Sequence, residues 1–154
     1  MTQMRPYEEG QDLDSPNRNL SPITSEVDQQ GKLKVGGCVL SKLADAYGTP
    51  LYVLDEATVR TSCKAYKTAL SKHYEGDSLP LYASKANSSL VISSLIYSEG
   101  FGLDAVSEGE LLTALKAGMP GPKIVLHGNN KSTSELKLAY DNDVNIVIDN
   151  YSDI

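Results

Sequence analysis

Four polar residues close four short apolar runs in the second half of a 154-residue chain: Lys85, Asp104, His127 and Asp149, spaced 19, 23 and 22 residues apart. An amine, two carboxylates and an imidazole at that interval could perform covalent and proton-transfer chemistry if the fold brought them to one rim. Lys85 is the most telling. It lies in Leu79 to Asn87, L-P-L-Y-A-S-K-A-N, where Leu81, Ala83 and Lys85 alternate with Tyr82 and Ser84. In a strand the first three share a face. An unpaired ammonium on a buried face is costly. The cost falls when the amine is neutral or used covalently, as Schiff-base chemistry requires. The plain alternative is a lysine at a strand end with its amine in solvent.

The elements that must position these residues are regular from Leu79 onward. The spacing predicts a strand over 79–85, then a helix from Ser88 to Ser98 with Val91/Leu95 and Ile92/Ile96 four apart and Gly100 as its stop. A strand over Gly102 to Val106 runs into Ser107 and Glu110, a capping-box pair, and the helix they start ends at Gly118 and Pro120. A third strand, Lys123 to Leu126, leads through His127-Gly128-Asn129-Asn130-Lys131 to a second capping box, Ser132 with Glu135, and a helix to Asp141. The fourth strand is Val144 to Ile148, closed by Asp149. Strand–helix units of about 22 residues imply parallel strands joined by right-handed crossovers.

The first half is less regular. Residues 1–30 read as a polar arm with Pro6, Pro16 and Pro22. Gly31 to Leu40 carries a strand signal broken by Gly36 and Gly37, and Leu40 to Tyr47 a short helix stopped by Gly48. Leu51 to Leu54 is a strand candidate, and Asp55 an N-cap for a helix with Val59, Cys63, Tyr66 and Leu70 on its apolar face. Arg60, Lys64 and Lys67 flank that face and read as a solvated basic side.

Composition excludes several functions. With 14 basic against 20 acidic residues the net charge is -6, and no Lys/Arg cluster offers a nucleic-acid surface. No apolar run reaches the roughly 18 residues of a membrane span, and the N-terminus lacks the apolar core of a secretory signal, so a cytoplasmic location is expected. Cys38, Cys63, His73 and His127 lack metal-ligand spacing, so no metal is expected.

Two architectures suit repeated βα units: an open doubly wound sheet or a (β/α)8 barrel. No G-x-G-x-x-G follows any strand, which weighs against a dinucleotide fold. In a barrel, the C-terminal strand ends form one mouth, where Lys85, Asp104, His127 and Asp149 would converge. A barrel needs eight units, and about four are present here, so the chain reads as the front part of a longer protein.

Five segments in order, Y-G-T-P-L-Y-V-L-D (47–55), Y-A-S-K-A-N (82–87), G-L-D-A-V-S-E-G-E-L (102–111), K-I-V-L-H-G-N-N-K-S (123–132) and V-N-I-V-I-D-N (144–150), resemble the diaminopimelate decarboxylases. These are pyridoxal-phosphate enzymes of the alanine racemase-like barrel class, fold-type III. The resemblance covers about residues 35–154. It implies an α/β fold in which residues 55–154 form the first part, about four βα units, of a cofactor-binding (β/α)8 TIM-type barrel, preceded by a segment (31–54) of a β-rich second domain. It further implies decarboxylation of meso-2,6-diaminopimelate to L-lysine by a homodimer whose active sites are shared between subunits.

Residue by residue, Lys85 matches the lysine that binds pyridoxal 5'-phosphate as a Schiff base. Asp104 matches a position at the cofactor end of the second strand, where it would tune the lysine's charge; a loop-capping aspartate is the alternative. His127 lies in H-G-N-N-K-S at the mouth, lining the pocket or bonding loop backbone. Ser84 reads as packing, Glu110 as a helix cap and Asp149 as a strand-end cap. Lys131 and Ser132 share the ending of a phosphate loop, but the upstream glycine pattern is missing. The family's phosphate-binding loop, ring-stacking histidine and substrate-side cysteine and tyrosine match no position of this chain, which is therefore expected to be inactive alone. Two rivals remain open: an ornithine- or arginine-type decarboxylase of the same fold, which H-G-N-N-K-S disfavours, and a non-catalytic decarboxylase-like binding protein.

Overall fold

The structure, a computed structural model, describes residues 20–154; the earlier part of the arm read over residues 1–30 lies outside the described residues. The chain divides after Thr58 into two units.

In the first unit, strands β1 (Glu26–Val27), β2 (Leu33–Val35) and β3 (Cys38–Val39) form an antiparallel sheet in that order. Gly36 and Gly37 have φ of 58° and 78°, the left-handed conformation that a two-residue hairpin turn requires at both positions. The glycines therefore create the pairing of Val35 with Cys38, where the sequence suggested a broken strand. β1 falls within the stretch read as a polar arm. Its pairing with β2 places Glu26 opposite Lys34, and the two side chains form an ion pair. Helix α1 (Leu40–Tyr47) follows and stops at Gly48, whose φ is 82°. Leu51 to Leu54 is not a strand: these residues pair with no neighbour, and Tyr52 is fully exposed. Asp55 is the expected cap, its Oδ2 accepting from Thr58 N at 3.2 Å as helix α2 (Glu56–His73) begins.

The second unit is built on strands β4 (Leu81–Ala83), β5 (Gly102–Ala105), β6 (Ile124–Leu126) and β7 (Asn145–Ile146), parallel and ordered β4-β5-β6-β7. Helices α3 (Leu90–Ser98), α4 (Glu108–Lys116) and α5 (Thr133–Asp141) make the crossovers. Local chemistry sets their ends. Ser89, Ser107 and Ser132 each accept from the backbone amide three residues on. Ser132 and Glu135 complete a reciprocal capping box, and the bonds to Ser132 hold the Glu135 carboxyl below its usual range. Gly100 and Gly118 take left-handed φ just past α3 and α4.

Pleat alternation divides the parallel sheet into two unlike faces. One carries Tyr82, Leu103, Ala105, Ile124, Leu126 and Ile146, which pack with Leu111 and Ala114 of α4 and Ala139 of α5. Leu103, Leu111 and Ile124 are wholly buried, so this is the core. Cys63 of α2 packs with Ile92, Ile96 and Phe101 in a second cluster, and Tyr82 touches both. Burial raises the pKa of the Cys63 thiol and of the Tyr82 hydroxyl. The other face of the sheet presents Leu81, Ala83, Asp104, Val125 and Asn145, none of them buried.

Two glycines are demanded by packing. A Cβ on Gly102 would stand 2.3 Å from Lys123 O, and one on Gly121 would stand 1.7 Å from Asn142 O. Both obstacles are backbone, so no side-chain motion relieves them.

The face read on α2 is only partly correct. Tyr66 is exposed, and the basic flank is not simply solvated. Arg60 pairs with Glu99 at 2.5 Å and donates to Ser98 Oγ, while Lys67 Nζ donates to Glu99 O at 2.8 Å. Arg60 thereby lowers the pKa of the Glu99 carboxyl. These two cations clamp the C-terminal end of α3, where a helix favours positive charge.

Candidate functional site

The site forms where β4, β5 and β6 end. Residues Ala83, Asp104 and Val125 lie side by side across the three strands, so the segments that follow them leave the sheet at one level. Lys85 lies in a short 3-10 turn, Ser84–Ala86, directly after β4. The sequence reading extended the strand through Lys85 and placed the lysine on a buried face. In the structure the strand ends at Ala83, and Lys85 is exposed. Its amine has no hydrogen-bond or ion-pair partner among the described residues, which leaves the nitrogen free for a ligand.

Asp104 and His127 do come together. His127 Nδ1 lies 3.7 Å from Asp104 Oδ1, with the aspartate side chain about a quarter exposed and the imidazole more than half exposed. The His127 amide donates to Ala105 O at 2.8 Å, which fixes the start of the β6 loop against the end of β5. His127 is thus tied to β5 through its backbone, and its ring lies beside Asp104. A protonated imidazole here would be attracted to the carboxylate.

Asp149 belongs to a different constellation, with Lys131 at its centre. The Lys131 side chain is almost fully buried; its Nζ meets Asp149 Oδ1 at 3.0 Å and Asp153 Oδ2 at 2.7 Å, and also donates to Gly128 O. The hydrogen bond from Lys131 pulls the Asp153 carboxyl down to about 2, and the same bond raises the Lys131 pKa. Lys131 ties the loop after β6 to the loop after β7. Sequence reasoning missed this because the partners lie 18 and 22 positions away, and no local pattern marks the pairing.

Two more residues escaped the sequence reading. Ser84, taken as packing, is 1% exposed, and its Oγ donates to Glu110 Oε2 at 2.6 Å and lies 2.8 Å from Asp104 O. Glu110, taken as a capping-box partner, has its amide held by Ser107 Oγ, but its carboxylate accepts from Val106 N at 2.8 Å and from Ser84. Among the described residues no group of three or more His, Cys, Asp or Glu side chains could hold a metal ion, and no helix is long and apolar enough to cross a membrane.

The site combines an unclaimed amine, a carboxylate and an imidazole on the rim of a parallel sheet. These residues fit a carbonyl-bearing cofactor at its covalent end, since the amine can condense with the carbonyl.

Comparison with known proteins agrees with that chemistry. The model of the pyridoxal-dependent decarboxylase family, pyridoxal binding domain, matches residues 56–154. The diaminopimelate decarboxylase of Synechocystis is 40% identical over 148 residues, covering 91% of this chain and 32% of the relative. That of Bacillus subtilis is 45% identical over 133 residues, covering 85% of this chain and 30% of the relative. A crystal structure of diaminopimelate decarboxylase from M. jannaschii superposes with a TM-score of 0.78 at 33% identity, covering 84% of this chain and 30% of that one. The chain thus spans about a third of the length of the curated relatives it matches. Its four parallel strands and three crossover helices are the N-terminal portion of the family's (β/α)8 barrel. By its family model, its relatives and its fold, the chain belongs to the pyridoxal-dependent decarboxylases.

Proposed function

We propose that this chain is the opening part of an enzyme that decarboxylates meso-2,6-diaminopimelate to L-lysine with pyridoxal 5'-phosphate. The observation that carries the proposal is Lys85, an exposed amine with no partner among the described residues, just past β4 of a parallel sheet in which Asp104 lies near the end of β5 and His127 directly after β6. The diaminopimelate decarboxylase relatives supply the substrate class.

In this reading Lys85 binds the cofactor covalently. Asp104 holds negative charge beside the site and favours a protonated, positively charged partner. His127, at 3.7 Å from Asp104, orients toward the same rim and can hold a proton there. When bound, the cofactor supplies the electron sink for the pair left on carbon as the carboxylate departs as carbon dioxide. A proton then takes the place of the carboxylate, giving lysine. The half-exposed face carrying Asp104 and Val125 would line the barrel interior, while the packed face turns toward the helices. The antiparallel pairing of β1 to β3 supports assigning residues 31–54 to a separate β-rich domain. The family resemblance supports a homodimer with shared active sites and a cytoplasmic location.

The test is borohydride reduction of the whole protein loaded with pyridoxal phosphate, followed by peptide mass spectrometry. A pyridoxyl group on Lys85, and lysine formed from diaminopimelate, are the expected results. Cofactor attached at another lysine, or none attached, would overturn the assignment.

A further inference from the structure

Beneath Lys85 lies a hydrogen-bonded group that the reaction chemistry does not explain. Ser84, the residue before it, is 1% exposed, and its hydroxyl reaches both Asp104 O at 2.8 Å and Glu110 Oε2 at 2.6 Å. The same carboxylate oxygen accepts from Val106 N at 2.8 Å. Three segments therefore meet at one oxygen: the turn that carries Lys85, the end of β5 just past Asp104, and the first turn of α4. A single hydroxyl proton serves one strong acceptor at a time, and the charged carboxylate at 2.6 Å is the stronger. Without Glu110 the buried Ser84 hydroxyl could still donate to Asp104 O, but the tie between its turn and α4 would be lost.

We infer that Ser84 and Glu110 form a positioning latch for Lys85: the pair fixes the turn that presents the amine and holds it in register with Asp104. Strand pairing ends at Ala83 with Asp104, so the ladder does not extend to Lys85. In its place the latch runs from Ser84 to Glu110, and Glu110 is itself anchored by its amide to Ser107 Oγ and by its carboxylate to Val106 N. The latch acts through Lys85 and touches no reacting atom. It rests on the assignment of Lys85 as the cofactor-binding lysine.

The test compares Ser84→Ala, Glu110→Ala and Glu110→Gln in the whole protein. Glutamine keeps an oxygen able to accept from Ser84 and Val106, whereas alanine has none. Three readings are made: kcat and KM, the yield of borohydride-trapped pyridoxyl-Lys85, and hydrogen exchange of the segment 84–87 against the rest of the chain. The expected result for Glu110→Ala is a kcat lower by about 10- to 100-fold with KM little changed. Exchange should rise selectively over 84–87, and Glu110→Gln should restore most of both. Ser84→Ala should move the same readings in the same direction by less, and as a mild truncation it keeps the test open if Glu110→Ala fails to fold. Trapping at Lys85 in the unaltered protein, combined with native kcat and exchange in Ser84→Ala and in any folded Glu110→Ala, overturns the latch and leaves the cofactor assignment intact. No trapping at Lys85 in the unaltered protein overturns both.

Discussion

Two lysines of the parallel unit follow β4 and β6, the strands on either side of β5, and have opposite fates. Lys85, after β4, is exposed with an unclaimed amine. Lys131, after β6, has a side chain only 2% exposed, held by two aspartates and a carbonyl. The sequence gives both a similar setting, a polar loop leading into a helix. The difference lies in what the next strands supply. After β7 come Asp149 and Asp153, which neutralise Lys131 and make it a strut between loops. Near Lys85 the Glu110 carboxylate is already occupied by Ser84 and Val106 N. The covalent role proposed for Lys85 requires an amine free of stable ion pairs, and the engagement of Glu110 with backbone and hydroxyl is consistent with that requirement.

Replacing each lysine should separate the two roles. Lys85→Ala should abolish covalent cofactor attachment and activity while leaving the thermal unfolding midpoint close to native, because an exposed unpaired side chain contributes little to stability. A large fall in that midpoint, measured by calorimetry, would mean that Lys85 is structural after all. Lys131→Met should do the reverse in kind. It leaves Asp149 and Asp153 facing one another without a cation, so thermal stability should drop clearly. A native midpoint for this variant would remove the contrast.

The acid limb of stability sharpens the same comparison. Asp153 titrates at 3.8 when unperturbed and at about 2 in the folded protein. A depressed carboxylate contributes stability that is present above its unfolded pKa and is lost as pH falls through the folded value. Unfolding midpoints measured from pH 5 downward should therefore show a loss between about pH 4 and 2 that is weakened in Asp153→Asn. Lys131, raised in the fold, contributes stability present below its unfolded pKa and lost only as pH climbs past its raised value, at the alkaline extreme. The smallest effect belongs to Lys137, whose pair with Asp141 is exposed and one helical turn away. Lys137→Ala should cost only about 0.3–0.5 kcal/mol in denaturant unfolding.

The parts of the fold that the sequence revealed are those governed by neighbours along the chain. Ser107, Ser132, Gly48, Gly100 and Gly118 mark helix ends where they were expected, because capping depends on residues within one turn. The apolar runs around Leu103, Ile124 and Ile146 identified the parallel strands for the same local reason. Errors arose where the deciding partner was distant. Leu51 to Leu54 has strand composition, but a strand needs another strand beside it. The pairing of Glu26 with Lys34 depends on a hairpin that a polar composition concealed. Arg60 and Glu99 are 39 positions apart, and Ser84 and Glu110 are 26 apart, so neither bond leaves a periodic signal. Of the site, Asp104 and His127 were rightly brought together by the strand-end argument, whereas the exposure of Lys85 depended on where β4 stops.

The order of the sheet also bears on how this unit comes into being. Strands β4 to β7 stand in space as they stand in the chain, each joined to the next by one helix. Contacts therefore close over one βα length at a time, with no late segment required to thread between earlier ones. Such an order allows stepwise assembly from the N-terminal side, in the direction in which a ribosome delivers the chain. The latch around Ser84 is complete once Glu110 is available, whereas the strut around Lys131 needs the chain as far as Asp153.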